Sequence, residues 1–300
     1  MKTILGCVAL AVAAICPLSQ AEEAAPSELE VQRLNAALSV IRSNTRISNP
    51  TIVHYQGPQL SLLVDTGVEP VVERLGEYLQ GLPATERSVV VTSHGHRDHT
   101  ENLRQVPLRY LLMTSPEQYA ALLAGGYVDD TRQFGPVSGT VTLRDGDEII
   151  DVMTLPEKQG HTLGDVAVHW HSANAIYLGD HGFYVGFPII DVANGGNLRN
   201  YIRNGRFLLG LGNDETTYIP GHSTFAPEPI RLWSHDEYRA WLDRIEASAN
   251  WIASQRAGGV NVEALQQDQE HQSRFDLHAG IPTFVSWDRW VKFCYEHDAA

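Results

Sequence analysis

The sequence predicts an α/β protein built as a four-layered αββα sandwich, in which two sheets pack face to face and helices cover both outer faces. Three features lead there. Strand-like and helix-like segments alternate twice along the chain, two separate stretches are β-rich, and everything beyond about residue 227 reads as helix. A sheet and an amphipathic helix each have an apolar face to bury, and alternation of this kind is solved by layering them.

Taken in order, residues 22 to 28 read as disordered, and "ELEVQRLNAALSVIR" reads as an amphipathic helix. "TIVHYQ" and "LSLLVDTG" are short β-type runs joined at Gly57-Pro58, which predicts a hairpin. "VEPVVERLGEYLQGL" has helical spacing and stops at a glycine before Pro83. "SVVVTS" is a continuous apolar run, as expected of a strand covered on both faces. "LRYLLMT" follows as strand, then "SPEQYAALLAGG" as helix, with Ser115 as cap and Pro116 in the first turn. Between 140 and 180 the pattern is mostly strand, with a tight turn at Asp145-Gly146 and another near Ser172 to Asn174. A helix is expected at roughly 197 to 210, then the short strand "TTYIP". A long helix starts at Ser234 and ends at Gly258-Gly259. The remaining tail, "FVSWDRWVKFCYEH", is helical and aromatic-rich.

The first 21 residues have the layout of a secretory signal peptide: a lysine, an apolar run from Ile4 to Leu18, then Ser19-Gln20-Ala21. That run falls short of the roughly 20 apolar residues of a membrane span. Cleavage after Ala21 leaves residues 22–300 as one domain, with a core at about 50–225 and a helical tail at about 227–300. The expected location is the periplasm or the medium, with no stable membrane insertion. The leader carries one lysine and no acid, so its loss takes the formal charge from −14 to −15. Such acidity argues against nucleic acid and anionic lipid as partners, and a small molecule is the expected one. Cys7 and Cys16 lie in the leader, so Cys294 is left without a disulfide partner and reads as a buried structural thiol.

The chemistry concentrates in "VVVTSHGHRDHTENL", residues 89 to 103. His94 and His96 leave a buried strand two apart, and in extended backbone i and i+2 point to the same side. Both imidazoles can therefore face one cation, while Asp98 and His99 can face a second beside it. Four ligands are too few for a closed two-metal site, so others should come from loops at the ends of strands. His161 stands just before one strand, and Asp180 and His222 at the ends of two more, flanked by Gly160, Gly179 and Gly221. Glycine lets backbone approach a crowded centre. Imidazole and carboxylate without thiolate suit zinc with open positions for water and substrate.

"HGHRDH", with Asp65 in "VDTG" upstream and His161, Asp180 and His222 downstream in that order, resembles the metallo-β-lactamase superfamily over roughly residues 50 to 225. Within it, "YLGDHGFYVGFPIIDVANGGNLRNYI" and "YIPGHS" resemble exported zinc hydrolases of quinoprotein relay systems and glyoxalase II-like hydrolases. The resemblance implies two Zn2+, with Fe or Mn as substitutes. His94, His96 and His161 would hold one, Asp98, His99 and His222 the other, and Asp180 would bridge. It implies a shared hydroxide attacking a carbonyl carbon, with Asp98 and Asp180 as the catalytic carboxylates. Asp65 is expected behind the ligands rather than on zinc. Asp165 is divided between that role and a turn, and Tyr184 between a hydrogen bond to a substrate oxygen and ordinary packing.

The implied activity is hydrolysis of a small ester, thioester, lactone or amide. A bridging aspartate at 180, where β-lactamases of the family carry cysteine or serine, makes β-lactam hydrolysis the secondary expectation. Two further readings stay open: a mono-iron enzyme resembling persulfide dioxygenases, and a metal-binding protein without turnover. His54, His169, His171, His181, His235, His271, His278 and His297 read as ordinary surface or core histidines.

Overall fold

The structure, a computed structural model, describes residues 29–43, 50–68, 72–184, 186–225, 228–275 and 285–298. The leader, the 22–28 segment and His278 lie outside them.

In chain order the elements are β1 (Leu29–Arg33), β2 (Leu38–Ser43), β3 (Thr51–Gln56), β4 (Leu60–Val64), α1 (Val72–Gln80), β5 (Arg87–Val91), α2 (Arg97–Thr100), β6 (Leu111–Thr114), α3 (Pro116–Ala124) and β7 (Phe134–Pro136). Then follow β8 (Thr140–Asp145), β9 (Glu148–Thr154), β10 (Val166–Trp170), β11 (Ala175–Tyr177), α4 (Leu198–Leu211), β12 (Thr217–Ile219), α5 (His235–Ala257), α6 (Val262–Gln266), α7 (Gln269–Phe275) and α8 (Trp287–His297). One sheet runs β1 to β7 in sequence order and the other runs β12-β11-β10-β9-β8.

Three apolar clusters confirm the αββα layering. Leu62, Val64, Val89 and Val91 of the first sheet meet Val152, Val166, Val168 and Trp170 of the second between the sheets. Leu63, Val90 and Leu112 point the other way, against Leu75, Leu79 and Leu122 of α1 and α3. On the far side, Ala167 and Ile176 meet Tyr201, Leu242, Ile245 and Trp290 of the C-terminal helices. Adjacent residues of one strand thus serve different layers, which explains why β5 reads as a continuous apolar run. Caps set the helix starts. Ser115 accepts from Gln118 N–H (3.1 Å) with Pro116 in the first turn, and Ser234 and Glu237 form a reciprocal capping box. Cys294 is buried in α8.

One expected element is overturned. Residues 29–43 form the hairpin β1–β2, not a helix, with Leu29 opposite Ser43 and Arg33 opposite Ser39. The Asn35 side chain accepts from Ala37 and Leu38 N–H (2.8 and 2.7 Å), building the turn that a continuous helix would have forbidden. Val40 and Ile41 then gain β-sheet burial beside β3, and tertiary packing outweighs a helical pattern. The strand expected at 108–114 is shorter too, because Pro107 to Tyr110 make a turn before β6.

The topology gathers one edge. β4 and β5 run parallel, so Asp65 and Ser93-His94 leave the first sheet on the same side. In the second sheet β11 and β12 are parallel and β10 antiparallel to β11. The end of β11 (Asp180), the end of β12 (His222) and the start of β10 (His161) therefore share one edge. Val166 N–H donating to Ser93 O (2.8 Å) joins the sheets there.

Candidate metal centre

Two groups of side chains converge at this edge: His94, His96, His161 and Asp180, and beside them Asp98, His99 and His222. Asp180 also reaches the second. Its Oδ2 lies 3.6 Å from His94 Nε2 and 3.3 Å from His161 Nε2, and its Oδ1 lies 3.1 Å from His99 Nε2 and 3.5 Å from His222 Nε2. Asp98 Oδ2 is 3.5 Å from His222 Nε2. The single turn Gly179–His181 aims the carboxylate, and Gly179 enters it at φ +53°, where a side chain would be strained.

The hydrogen bonds behind the imidazoles decide what the cluster fits. His161 Nδ1 donates to Ile189 O (2.8 Å), His96 Nε2 to Asp191 Oδ2 (2.8 Å) and His94 Nδ1 to Ser93 Oγ (3.0 Å). Each neutral ring has one N–H and spends it outward, so the lone pairs of His94 Nε2, His96 Nδ1 and His161 Nε2 point at one another and at Asp180. His161 Nε2 and His96 Nδ1 are 3.0 Å apart. Among the described residues His94 Nε2 and Asp180 Oδ1 are buried without a hydrogen-bond partner. Three lone pairs turned toward a buried carboxylate, with no donor among His94 Nε2, His96 Nδ1 and His161 Nε2, fit a cation.

Electrostatics agree. Burial, then the surrounding imidazoles, pushes His94 well below the usual histidine range, and burial lowers His161 as well. Burial also opposes a charge on His99, but Asp180 and Asp65 on its two sides hold its pKa well above that range. A cation can take the place of that proton. Asp180 is buried, which alone would raise its pKa, yet His222, His99, His94 and His161 hold it well below the carboxylate range.

Asp65 stands behind the second group. It sits at φ +58° and is fully buried, and its Oδ2 accepts from His99 Nδ1 (2.8 Å), Ser93 Oγ (2.6 Å) and the Tyr177 hydroxyl (2.6 Å). Its Oδ1 accepts from Ser93 N–H (2.7 Å). Burial and the Asp65 charge push Tyr177 far up, so its hydroxyl stays a donor. Asp165 accepts from the N–H of His161 (2.8 Å) and Thr162 (3.1 Å) and from His181 Nε2 (3.0 Å), which fixes the loop carrying His161. Tyr184 stacks on Trp233 with ring centres 5.5 Å apart, and its N–H donates to His222 O (2.8 Å). It joins the site through its backbone.

Ser93, Tyr177, His181, Asp191 and the Ile189 carbonyl were not singled out by the sequence as parts of the site. Ser93, adjacent to His94, and His181, adjacent to Asp180, carried a local signal. Asp191 also caps the turn Val192–Asn194, and in sequence it reads as nothing more.

Gly221 gives a packing test of the centre. A Cβ there would run into Asp180 Oδ1 and lie 2.6 Å from the backbone C and O of Gly179. Backbone cannot yield to a methyl group, so Gly221→Ala should displace Asp180, weaken cation affinity at least about tenfold and cost about 1–3 kcal/mol. Chelator competition and thermal unfolding read the two effects.

Comparison with known proteins adds the family. The family model described as the metallo-beta-lactamase superfamily matches residues 44–252. Among solved structures, a metallo-beta-lactamase from Pontibacter korlensis superposes with a TM-score of 0.60 at 15% identity, covering 73% of this chain and 99% of that one. The DIM-1 metallo-beta-lactamase exposed to ceftazidime gives 0.60 at 15% identity, covering 74% and 98%. At this identity the likeness is one of fold. No curated protein matches the chain.

Proposed function

The chain belongs to the metallo-beta-lactamase superfamily, and from that premise we propose that it is an exported dinuclear zinc hydrolase cleaving a small ester, thioester, lactone or amide. The observation that carries the reading is Asp180, which turns one oxygen to each of two histidine groups. His94, His96 and His161 would hold one zinc, Asp98, His99 and His222 the other, and Asp180 both. Seven ligands in two groups favour two cations over the single iron of a dioxygenase.

When bound, the cations supply Lewis acidity, polarising a carbonyl and bringing the pKa of water toward about 7. The chain's own residues do the rest. His96 and Asp98 are the open members, with side chains 27% and 30% exposed against 4% or less for the other five, so substrate enters over them. Asp98 would orient the attacking water and take up its proton. Ser93, Asp65, Asp191 and the Ile189 carbonyl keep the imidazoles turned.

Export rests on the leader-like first 21 residues, and a single 22–300 domain on the continuity of core and tail. No helix among the described residues is long and apolar enough to cross a membrane. The acidic chain, formally −14, suits a small-molecule partner rather than nucleic acid.

Mass spectrometry of the purified metalloprotein should find two zinc ions per chain. A panel of thioester, lactone, β-lactam and phosphodiester substrates should then show hydrolysis of a carbonyl compound, with β-lactams slow. One iron per chain with oxygen-dependent sulfur chemistry, or full zinc without turnover of any carbonyl compound, would overturn the reading.

A further inference from the structure

We propose that Leu163, Ile189 and Val192 form an apolar rim beside the His96–His161 end of the metal centre, and that it takes an uncharged alkyl or aryl group of the substrate. The inference rests on the hydrolase reading above and adds the chemical class of what the enzyme binds.

Among the described residues large apolar side chains are mostly buried, and those that are not include Leu163 (40% exposed), Ile189 (39%) and Val192 (44%). These three lie on two loops that are bonded to each other and to the site. Leu163 N–H donates to Asn194 O (3.0 Å) and Asp191 N–H to His161 O (3.0 Å). Ile189 supplies the carbonyl that holds the His161 ring, and Asp191, next to Val192, holds His96. Every rim residue is thus within two positions of a ligand histidine or of a group bonded to one. Exposed single hydrophobics need no explanation, but three gathered beside an open ligand do.

Charge excludes the other occupants. Within 158–164 and 189–197 the formally charged side chains are Lys158 and Asp191. Lys158 pairs with Glu117 (2.8 Å), and Asp191 is taken up by His96 and by Asn194 Nδ2 (2.6 Å). These loops hold no unengaged cation for a carboxylate or phosphate. An apolar group beside the scissile bond gains from burial at no electrostatic cost.

The test separates rim from centre by using n-alkyl hydroxamic acids, acetyl through hexanoyl, titrated calorimetrically into zinc-loaded protein. The common head group reports the centre and the chain reports the rim. A fully buried methylene is worth about fourfold in affinity, and a half-exposed rim should give about twofold. Affinity should rise at least about tenfold from the acetyl to the hexanoyl compound. In Leu163→Ser/Val192→Ser the rise should shrink to about threefold or less, with acetyl affinity kept, because neither of these two side chains holds a ligand histidine. A flat series in the wild type, or the same slope in the double variant, overturns the rim. Loss of binding for every member, acetyl included, would instead strike the zinc centre, and the rim with it. Val192→Thr, equal in shape, covers the case of a poorly folding double variant and should lower only the slope.

Discussion

Asp180→Asn is expected to loosen both cations and to lower turnover by at least about two orders of magnitude, on the scale seen when a group acting directly on the transition state is removed. The geometry gives the reason. One carboxylate oxygen faces His94 and His161 and the other faces His99 and His222, at 3.1–3.6 Å. An amide has one oxygen and one NH2, so whichever way it turns, one histidine pair meets a donor where it had an anion. The negative charge that offsets two dications is also gone. Asparagine matches aspartate in size at this buried position, so circular dichroism should be unchanged while metal content after dialysis against a weak chelator falls below one equivalent. Two retained equivalents with near-wild-type turnover would remove Asp180 from the centre of the reading.

What the sequence made legible was what depends on spacing or on strand ends. The run from His94 to His99 fixes its own geometry, since extended backbone followed by a helical turn sets i, i+2 and i+5 around one space. His161, Asp180 and His222 stand beside glycines at strand termini, and parallel β4–β5 and β11–β12 pairs bring such termini to one edge. The hairpin at 29–43 was not legible, because helical periodicity and a β pattern broken by an Asx turn leave the same apolar positions, and only β3 decides between them. Asp191 was hidden for a different reason. Its bond to His96 spans 95 positions, and its local role as a turn cap already accounts for an aspartate there. Tyr177 reads as one more β-strand aromatic until its hydroxyl is seen 2.6 Å from Asp65.

Asp65→Asn should destabilise the metal-free protein by about 3 kcal/mol, the scale of breaking a buried charged hydrogen-bond network. Asp65 is fully buried and accepts four donors, three at Oδ2 and one at Oδ1. If the new amide turns its NH2 toward Oδ1's place, it meets Ser93 N–H head on. If it turns the other way, it meets His99 Nδ1, Ser93 Oγ and the Tyr177 hydroxyl together. Tyr177 has an escape, because its hydroxyl also reaches Thr51 O at 3.0 Å. His99 has none on that side and loses the carboxylate that sustains its charge. Backbone strain does not confuse the experiment, since asparagine tolerates the φ of +58° found here, whereas Asp65→Ala would add that strain and should be worse. Urea unfolding without metal measures the fold alone, and zinc titration of the same variant should then show the second equivalent weakened more than the first, because His99 loses its direct holder whereas His94 is touched only through Ser93. An unchanged urea midpoint would mean that Asp65 carries none of this network.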